Sequence, residues 1–262
     1  MFPAKCAQEK FKAEADFAFE LQSAIPAGAR SARTPTASHL MTPPPRAIVT
    51  CGPGISPIDA VRRITNFSTS ELGVRLTECL LEHGWDVLCF KSSGSSYRNP
   101  EGGALVVREF TTNTDLFALL SAEEGRENVS VVFHAAALSD YDVTCVQSLD
   151  GEPLQALKIS SHLPGLQIIL QPAPKLLPEL GTLFPKARIV GWKFELEGDR
   201  SSALDRAKQQ LQENNSALCV VNGSAFGEGF GILDPQGACL TALTRGELCN
   251  LLTVWAGRLL PV

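Results

Sequence analysis

The chain has 262 residues, of which 44% are hydrophobic and 19% charged, and its formal net charge is −5. This apolar content is enough for a sizeable core and excludes a globally disordered chain. An acidic chain lacks the basic excess that neutralising a phosphate backbone requires, so a nucleic-acid partner is not expected. No apolar run approaches the roughly 20 residues that cross a bilayer, so no membrane partner is expected either.

Eight cysteines and four histidines are spread along the chain without a Cys-x-x-Cys pair. Their spacing matches neither a zinc site nor a disulfide framework. Several cysteines lie inside apolar runs, where they act as small hydrophobic residues. Nothing near the start resembles a secretory signal, so we expect a cytoplasmic protein.

Residues 1–45 differ in composition from the rest, since they mix charges with Ala, Ser, Thr and Pro and end in three prolines. Such a segment predicts a flexible extension. Met41 is the second of only two methionines and lies just before the first predicted strand. Translation starting at Met41 is therefore an equally open alternative for residues 1–40. Residues 46–262 are expected to form a single domain.

From Arg46 onward, short apolar runs alternate with segments of helical period. The predicted strands are Ala47–Cys51, Asp86–Lys91, Leu105–Phe110, Val129–Ala136, Leu166–Leu170, Arg188–Phe194 and Ala217–Asn222. The predicted helices are Ser68–His83, Thr114–Glu123, Ala173–Leu183, Ser201–Asn214 and Gly246–Leu260. This alternation predicts an α/β fold with a Rossmann-like, doubly wound and mostly parallel sheet. Ligands of such sheets bind outside the carboxyl ends of the strands.

The loop after the first strand does not suit a nicotinamide cofactor. Such a site needs Gly-x-Gly-x-x-Gly close to the helix start and an acidic residue at the end of the second strand. Only Gly52 and Gly54 fit, and the second strand ends in Lys91. A nicotinamide reductase is therefore a disfavoured alternative, and the Walker phosphate-binding motif is absent as well.

Two motifs carry a family resemblance. The stretch Pro57-Ile-Asp-Ala-Val-Arg-Arg-Ile-Thr-Asn-Phe-Ser68 resembles the Pro-Ile-Asp-x-Val-Arg-x-Ile-x-Asn-x-Ser signature of phosphopantothenate–cysteine ligases. These enzymes form the ligase half of DNA/pantothenate metabolism flavoproteins. His134-Ala-Ala-Ala-Leu-Ser-Asp-Tyr141 is similar to the family's Ala-Ala-Ala-Val-Ala-Asp-Tyr.

Three further motifs follow in family order. Lys158-Ile-Ser-Ser is similar to the Lys-Ile-Lys-Lys flap of that family, and Leu170-Gln-Pro-Ala-Pro-Lys-Leu-Leu resembles Leu-x-x-x-Pro-Asp-Ile-Leu. Gly191-Trp-Lys-Phe-Glu195 resembles Gly-Phe-x-x-Glu, and Asn222 matches an Asn that closes a late strand. The resemblance extends over roughly residues 46–260. It does not include the flavin-carrying decarboxylase domain, so no flavin is implied.

The resemblance implies a ligase that joins 4'-phosphopantothenate to L-cysteine with CTP or ATP as cosubstrate and Mg²⁺. The substrate carboxylate would attack the α-phosphate, and the cysteine amine would then displace the nucleotide. Positioning and charge neutralisation supply most of the catalysis in such transfers. Family members dimerise, and two-fold dimers are the commonest oligomers, so a homodimer is expected.

The resemblance also assigns roles to individual residues. Asn66 would hold the activated acyl group, Lys158 would neutralise phosphate charge from a mobile flap, and Asp140 would be associated with the nucleotide or the metal. The resemblance assigns nucleotide binding to Gly52, Gly54, Ser68, Ala135, Ala136, Asp140, Pro174 and Trp192. From the residues alone, a structural role without ligand binding stays open at four of these positions. Ser68 would then be an ordinary helix start, Asp140 a turn residue, Lys158 a solvated surface charge and Trp192 a core residue.

Several positions depart from the family pattern. Ser-Ser-Gly-Lys is Ser68-Thr-Ser-Glu71 here, and Gln210 and Asn214 replace two lysines that would contact the triphosphate. Lys175, Lys193 or Lys208 are the candidates for restoring this charge. A second hypothesis is therefore a non-catalytic nucleotide-binding paralogue with a regulatory or interaction role.

Overall fold

A computed structural model describes residues 43–260. The expectations for residues 1–40 lie outside this range. The strands are β1 (Arg46–Pro53), β2 (Ile55–Pro57), β3 (Arg63–Thr65), β4 (Asp86–Ser92), β5 (Leu105–Phe110), β6 (Val129–Ala137), β7 (Tyr141–Ser148), β8 (Leu166–Pro172), β9 (Arg188–Phe194), β10 (Leu218–Asn222), β11 (Phe230–Leu233) and β12 (Cys239–Ala242). The helices are α1 (Glu71–Glu82), α2 (Asn113–Ser121), α3 (Leu177–Leu183), α4 (Arg200–Glu213) and α5 (Arg245–Gly257), with a 3₁₀ turn at Arg126–Asn128.

The main sheet has eight strands in the order β12-β11-β10-β9-β6-β1-β4-β5. Six of them, from β10 to β5 in this order, pair in parallel, and β11 and β12 extend the sheet as antiparallel strands. The parallel part has the strand order of doubly wound Rossmann sheets, with its switch point between β1 and β6. The predicted fold class is confirmed.

The helices cover both faces of the sheet, as the buried alternation along the strands requires. On β1, Ala47 and Val49 pack with α1 and α5, while Ile48 packs with α2 and α3 on the opposite face. α4 lies on this second face, where its small apolar residues pack on Cys219 and Val221 of β10.

Capping side chains set where most helices begin. Thr112 and Asp199 form capping boxes with Asp115 and Ser202 at the starts of α2 and α4. Thr244 accepts the backbone N–H of Glu247 at the start of α5. Each cap satisfies donors that the first helical turn leaves unpaired.

Three sequence-based expectations for elements were wrong. The predicted strand near Leu166–Leu170 lies outside the main sheet, because β8 pairs antiparallel with β7 in a separate two-stranded ribbon. The first helix begins at Glu71 instead of Ser68, because a β2–β3 hairpin occupies the chain before it and Ser70 is left-handed. Ser68 therefore lies in the loop before the helix. α3 begins at Leu177, four residues later than Ala173, since Pro172 and Pro174 precede it.

Within residues 43–260, no helix has the length and apolar character that crossing a bilayer requires.

Two glycines within helices give a matched test of packing. An ideal Cβ on Gly73 of α1 would lie 2.2 Å from Cβ of Cys51, whereas a Cβ on Gly181 of α3 would meet nothing within 4 Å. We expect Gly73→Ala to lower the free energy of unfolding by about 1–3 kcal/mol through overpacking. Gly181→Ala should raise it by about 0.5–1 kcal/mol through the lower backbone entropy of the unfolded chain. Urea denaturation of both variants measures this, and equal effects would contradict the packing of α1 on β1.

Candidate active site at the carboxyl edge of the sheet

A cavity of about 580 Å³ opens where β6 and β9 end. Its walls come from four places: the end of β6 with the loop that follows, the end of β9, the segment leading into α3, and one face of α4. The lining residues include His134, Ala136, Leu138, Ser139, Asp140, Pro174, Lys175, Trp192, Lys193, Arg206, Gln210, Glu213 and Asn214. Concave polar sites at this edge are where doubly wound sheets bind ligands.

Two asparagines fix the loop after β6. The Asn66 amide donates to the carbonyl oxygens of Ala137 at 3.2 Å and Leu138 at 2.8 Å. Asn113 donates to the Ser139 carbonyl at 2.9 Å and accepts the Ser139 N–H at 3.2 Å. Because the bonds to Leu138 and Ser139 satisfy backbone groups beyond the sheet, they hold the loop at the cavity rim.

The predicted glycines are buried and explained by packing. Gly52 has a φ of +96°, and a Cβ there would approach Cβ of Ser92 to 2.7 Å. A Cβ on Gly54 would lie 2.6 Å from Oδ1 of Asn113. Both positions therefore need glycine for close backbone approach. Their nucleotide-binding role stays a prediction.

Three cations line the cavity, and each is already paired with a carboxylate. Lys175 pairs with Asp140, and both side chains are about two-thirds exposed at the rim. On the opposite wall, buried Glu195 at the end of β9 pairs with Lys193 at 3.3 Å and with Arg206. A single buried carboxylate thus holds two cations against the cavity.

The two positions that lack the family lysines do line the cavity, but their amides are engaged within the protein. Gln210 donates to the Trp192 carbonyl at 3.2 Å, and Asn214 donates to the Gln210 carbonyl at 2.7 Å. Of the candidates for restoring the charge, Lys175 and Lys193 line the cavity and Lys208 does not.

The cavity brings together four of the predicted binding residues, Ala136, Asp140, Pro174 and Trp192. Trp192 also packs against the hydrophobic cluster beneath α1 and α5, so its core role holds alongside its place at the cavity. The cavity lining does not include the other predicted site residues, which are Gly52, Gly54, Ser68, Ala135, Asn66 and Lys158. Ala135 alternates with Ala136 on β6 and therefore points to the other face of the sheet.

The two predicted catalytic residues lie outside the cavity lining, in two different loops. Asn66 follows the β2–β3 hairpin, and both of its amide hydrogens are used on the loop after β6. Holding an acyl oxygen would therefore require one of these bonds to exchange. Lys158 is exposed in the long loop between β7 and β8. Both catalytic roles stay predictions.

The acidic side chains supply too few ligands for Mg²⁺ unless a phosphorylated ligand supplies the others. Across residues 43–260 no three His, Cys, Asp or Glu side chains are grouped to hold a metal ion. Mg²⁺ is commonly bound by one or two carboxylates together with substrate phosphates. Asp140 could provide one such carboxylate, after exchange of its pairing with Lys175.

Sequence reasoning missed Arg206 and the pairing role of Glu195. Arg206 lies four residues before Gln210 on α4, and residues at this spacing share one helix face. Its helical spacing from Gln210, one of the two substituted lysine positions, could have indicated that Arg206 faces the same site. Nothing in the sequence indicated that Glu195 would be buried between two cations.

His134 forms the buried floor of the cavity. Its Nδ1 lies 2.7 Å from Oγ1 of Thr50, within hydrogen-bond distance, on the neighbouring strand β1. Burial lowers the pKa of His134 from 6.5 to about 4. The imidazole is therefore neutral at neutral pH.

These features define an α/β protein of the Rossmann type with a polar ligand cavity at its carboxyl edge. The family described as the DNA/pantothenate metabolism flavoprotein C-terminal domain matches residues 44–247. The chain belongs to this family.

Individual relatives agree with this membership. The chain is 28% identical over 190 residues to the coenzyme A biosynthesis bifunctional protein CoaBC of Methanocaldococcus jannaschii, covering 71% of this chain and 43% of that protein. The chain spans less than half the length of the curated relatives it matches.

Solved structures show the same fold. A DNA/pantothenate metabolism flavoprotein from Streptococcus pneumoniae is 26% identical, with a TM-score of 0.70 over 79% of this chain and 96% of that one. A Cab2 mutant in complex with phosphopantothenate-cysteine is 17% identical, with a TM-score of 0.61 over 98% and 95% of the two chains.

The low pKa of His134 predicts a pH-dependent stability. Between pH 6.5 and about 4 the unfolded chain protonates this histidine and the folded chain does not. As the pH is lowered through this window, the free energy of unfolding should therefore decrease, by on the order of 3 kcal/mol from this group. Urea denaturation of the wild type and His134→Gln at pH 4.5, 5.5 and 7.5 isolates the effect. A constant difference between the two proteins would contradict it.

Proposed function

We propose that the protein is a CTP- or ATP-dependent ligase that joins 4'-phosphopantothenate to L-cysteine through an acyl-nucleotide intermediate. The observation that carries the proposal is the cavity at the carboxyl edge, lined by Lys175, Lys193 and Arg206. Three cations in one polar cavity suit a triphosphate, and family membership supplies the reaction class.

The reaction proceeds in two balanced steps. A carboxylate oxygen of phosphopantothenate attacks the α-phosphorus, and the bond to the β-phosphate oxygen breaks to release pyrophosphate. The cysteine amine then attacks the acyl carbon, loses a proton and displaces the nucleoside monophosphate. Neither step needs a nucleophile from the protein, so binding geometry and neutralised charge supply the catalysis.

The cavity residues support these needs. Arg206 and Lys193, held by Glu195, would meet the triphosphate from one wall, and Lys175 from the other. Bound Mg²⁺ would supply further neutralisation of phosphate charge. Asn66 would keep the loop after β6 in place beneath the reacting acyl group.

A second candidate is a nucleotide-binding paralogue without catalytic activity. Two observations favour it: the amides of Gln210 and Asn214 are bonded within the protein, and Glu71 places an acidic side chain in the first turn of α1. A negative charge at a helix N-terminus repels an anionic ligand there.

A homodimer is part of the proposal. The β7–β8 ribbon leaves Tyr141, Ile169 and Leu170 between 41% and 53% exposed, and apolar side chains of this size are commonly covered in assemblies. Light-scattering mass measurement tests this, and a monomer at micromolar concentration would contradict it.

Pyrophosphate release tests the activity directly. Purified protein is mixed with phosphopantothenate, cysteine, Mg²⁺ and either CTP or ATP, and pyrophosphate and final amide are followed separately. We expect pyrophosphate without cysteine in a single turnover and continuous release with it. No turnover with either triphosphate, together with a nucleotide-induced rise in melting temperature, would favour the paralogue.

Arg206 offers the sharper test of the cavity. We expect Arg206→Gln to lower pyrophosphate release about 10²-fold, because a cation facing developing phosphate charge is lost. Lys208→Gln is the matched control, since Lys208 lies on the same helix but outside the cavity lining. Rates at varied CTP or ATP and melting temperatures are measured for both. Rates within a few-fold of each other would remove Arg206 from the site.

A further inference from the structure

The long loop between β7 and β8 is hydrogen-bonded to the β2–β3 hairpin around Lys158. Ile159 is only 3% exposed, although Leu157 before it is 86% exposed and Lys158 and Ser160 are exposed too. A buried residue between exposed neighbours indicates that this part of the loop contacts another segment of the protein. That segment is the turn of the β2–β3 hairpin.

Asp59 provides this attachment. Its carboxylate side chain has no solvent exposure. One oxygen accepts the backbone N–H groups of Val61 at 2.8 Å and Arg62 at 2.7 Å. The other accepts the N–H of Ile159 at 3.1 Å and the guanidinium of Arg62 at 2.6 Å. All four bonds are charge-assisted, which makes them stronger than neutral hydrogen bonds.

Two further bonds complete the attachment on both sides of Lys158. The Arg62 guanidinium donates to the Ile159 carbonyl at 3.1 Å, and the Ala60 N–H donates to the Leu157 carbonyl at 2.9 Å. The peptide groups before and after Lys158 are therefore both bonded to the hairpin. The Lys158 ammonium itself is exposed, and no residue described by the structure pairs with it.

The charge of Asp59 persists at any working pH. Burial opposes its ionisation, but the three backbone N–H groups and Arg62 outweigh this and lower the pKa of Asp59 to about 2. The attachment therefore does not titrate between pH 5 and 9.

We propose that Asp59 is a positioning residue, which fixes the backbone on both sides of Lys158 so that its ammonium is presented at a constant place relative to the β2–β3 hairpin. The inference rests on the proposed function. Asp59 touches no reacting atom in this role and acts only through Lys158.

Trypsin tests the attachment without any reference to activity, because it cleaves after Lys158. We expect Asp59→Asn to raise the cleavage rate at Lys158 about tenfold, since charged hydrogen bonds to the hairpin are lost. Asp150→Asn removes the same charge in the same loop, where Asp150 has no partner among residues 43–260, and should leave the rate unchanged. Cleavage at Lys91, buried in β4, reports global unfolding. Equal rates at Lys158 in Asp59→Asn and the wild type would overturn the attachment.

A double-mutant cycle tests the positioning role. We expect Lys158→Ala to lower pyrophosphate release about 10²-fold or more, and Asp59→Asn to lower it about tenfold. The double variant should match Lys158→Ala alone, because Asp59 has nothing left to position. Multiplied losses, or full activity in Asp59→Asn, would overturn the proposal. Should Asp59→Asn fail to fold, Arg62→Gln carries the same expectations in weaker form.

The two readouts separate this inference from the proposed function. If the wild type shows no turnover but Asp59→Asn still exposes Lys158 to trypsin, the proposed function fails and the positioning role fails with it, while the attachment stands. If the wild type is active and cleavage is unchanged, the inference fails and the proposed function stands.

Discussion

The candidate site depends on how the chain leaves β6. At the end of a parallel strand the backbone loses its ladder partners, and those polar groups must be satisfied before the loop can have one shape. Asn66 and Asn113 do this from two other segments of the chain, and the absence of a side chain at Gly54 leaves room for Asn113. The cavity wall that begins at Leu138 is therefore as well defined as the sheet beneath it.

The cations of the cavity are paired before any ligand enters. Glu195 pairs with two cations on one wall, and Asp140 pairs with Lys175 at the rim. A triphosphate would compete with these carboxylates for the same cations, so part of its attraction is offset on binding. In return the cationic side chains are preorganised, because they already lie at the cavity and need not be ordered when the phosphates bind.

The sequence predicted the six parallel strands well because the central ones are buried on both faces and read as continuous apolar runs, but it missed β11 and β12. It did not predict that Leu166–Pro172 leaves the sheet, since an exposed ribbon has no burial pattern to distinguish it. Among site residues, Ala136, Asp140, Pro174 and Trp192 were named through the family resemblance, and they line the cavity. Arg206 and the tie between Asp59 and Ile159 depend on tertiary contacts between distant segments, which no local pattern encodes.

The β7–β8 ribbon completes its hydrogen-bond ladder within itself and adds no strand to the main sheet. Opening it would leave every ladder bond of the eight-stranded sheet intact. The protein is therefore built from two units of unequal cooperativity: a sheet that unfolds only globally, and an appendage that can open sub-globally. Backbone amides of the ribbon are expected to exchange with deuterium faster than those of β1 and β6. Substitutions on the ribbon can accordingly alter one rim of the site without loss of the folded core.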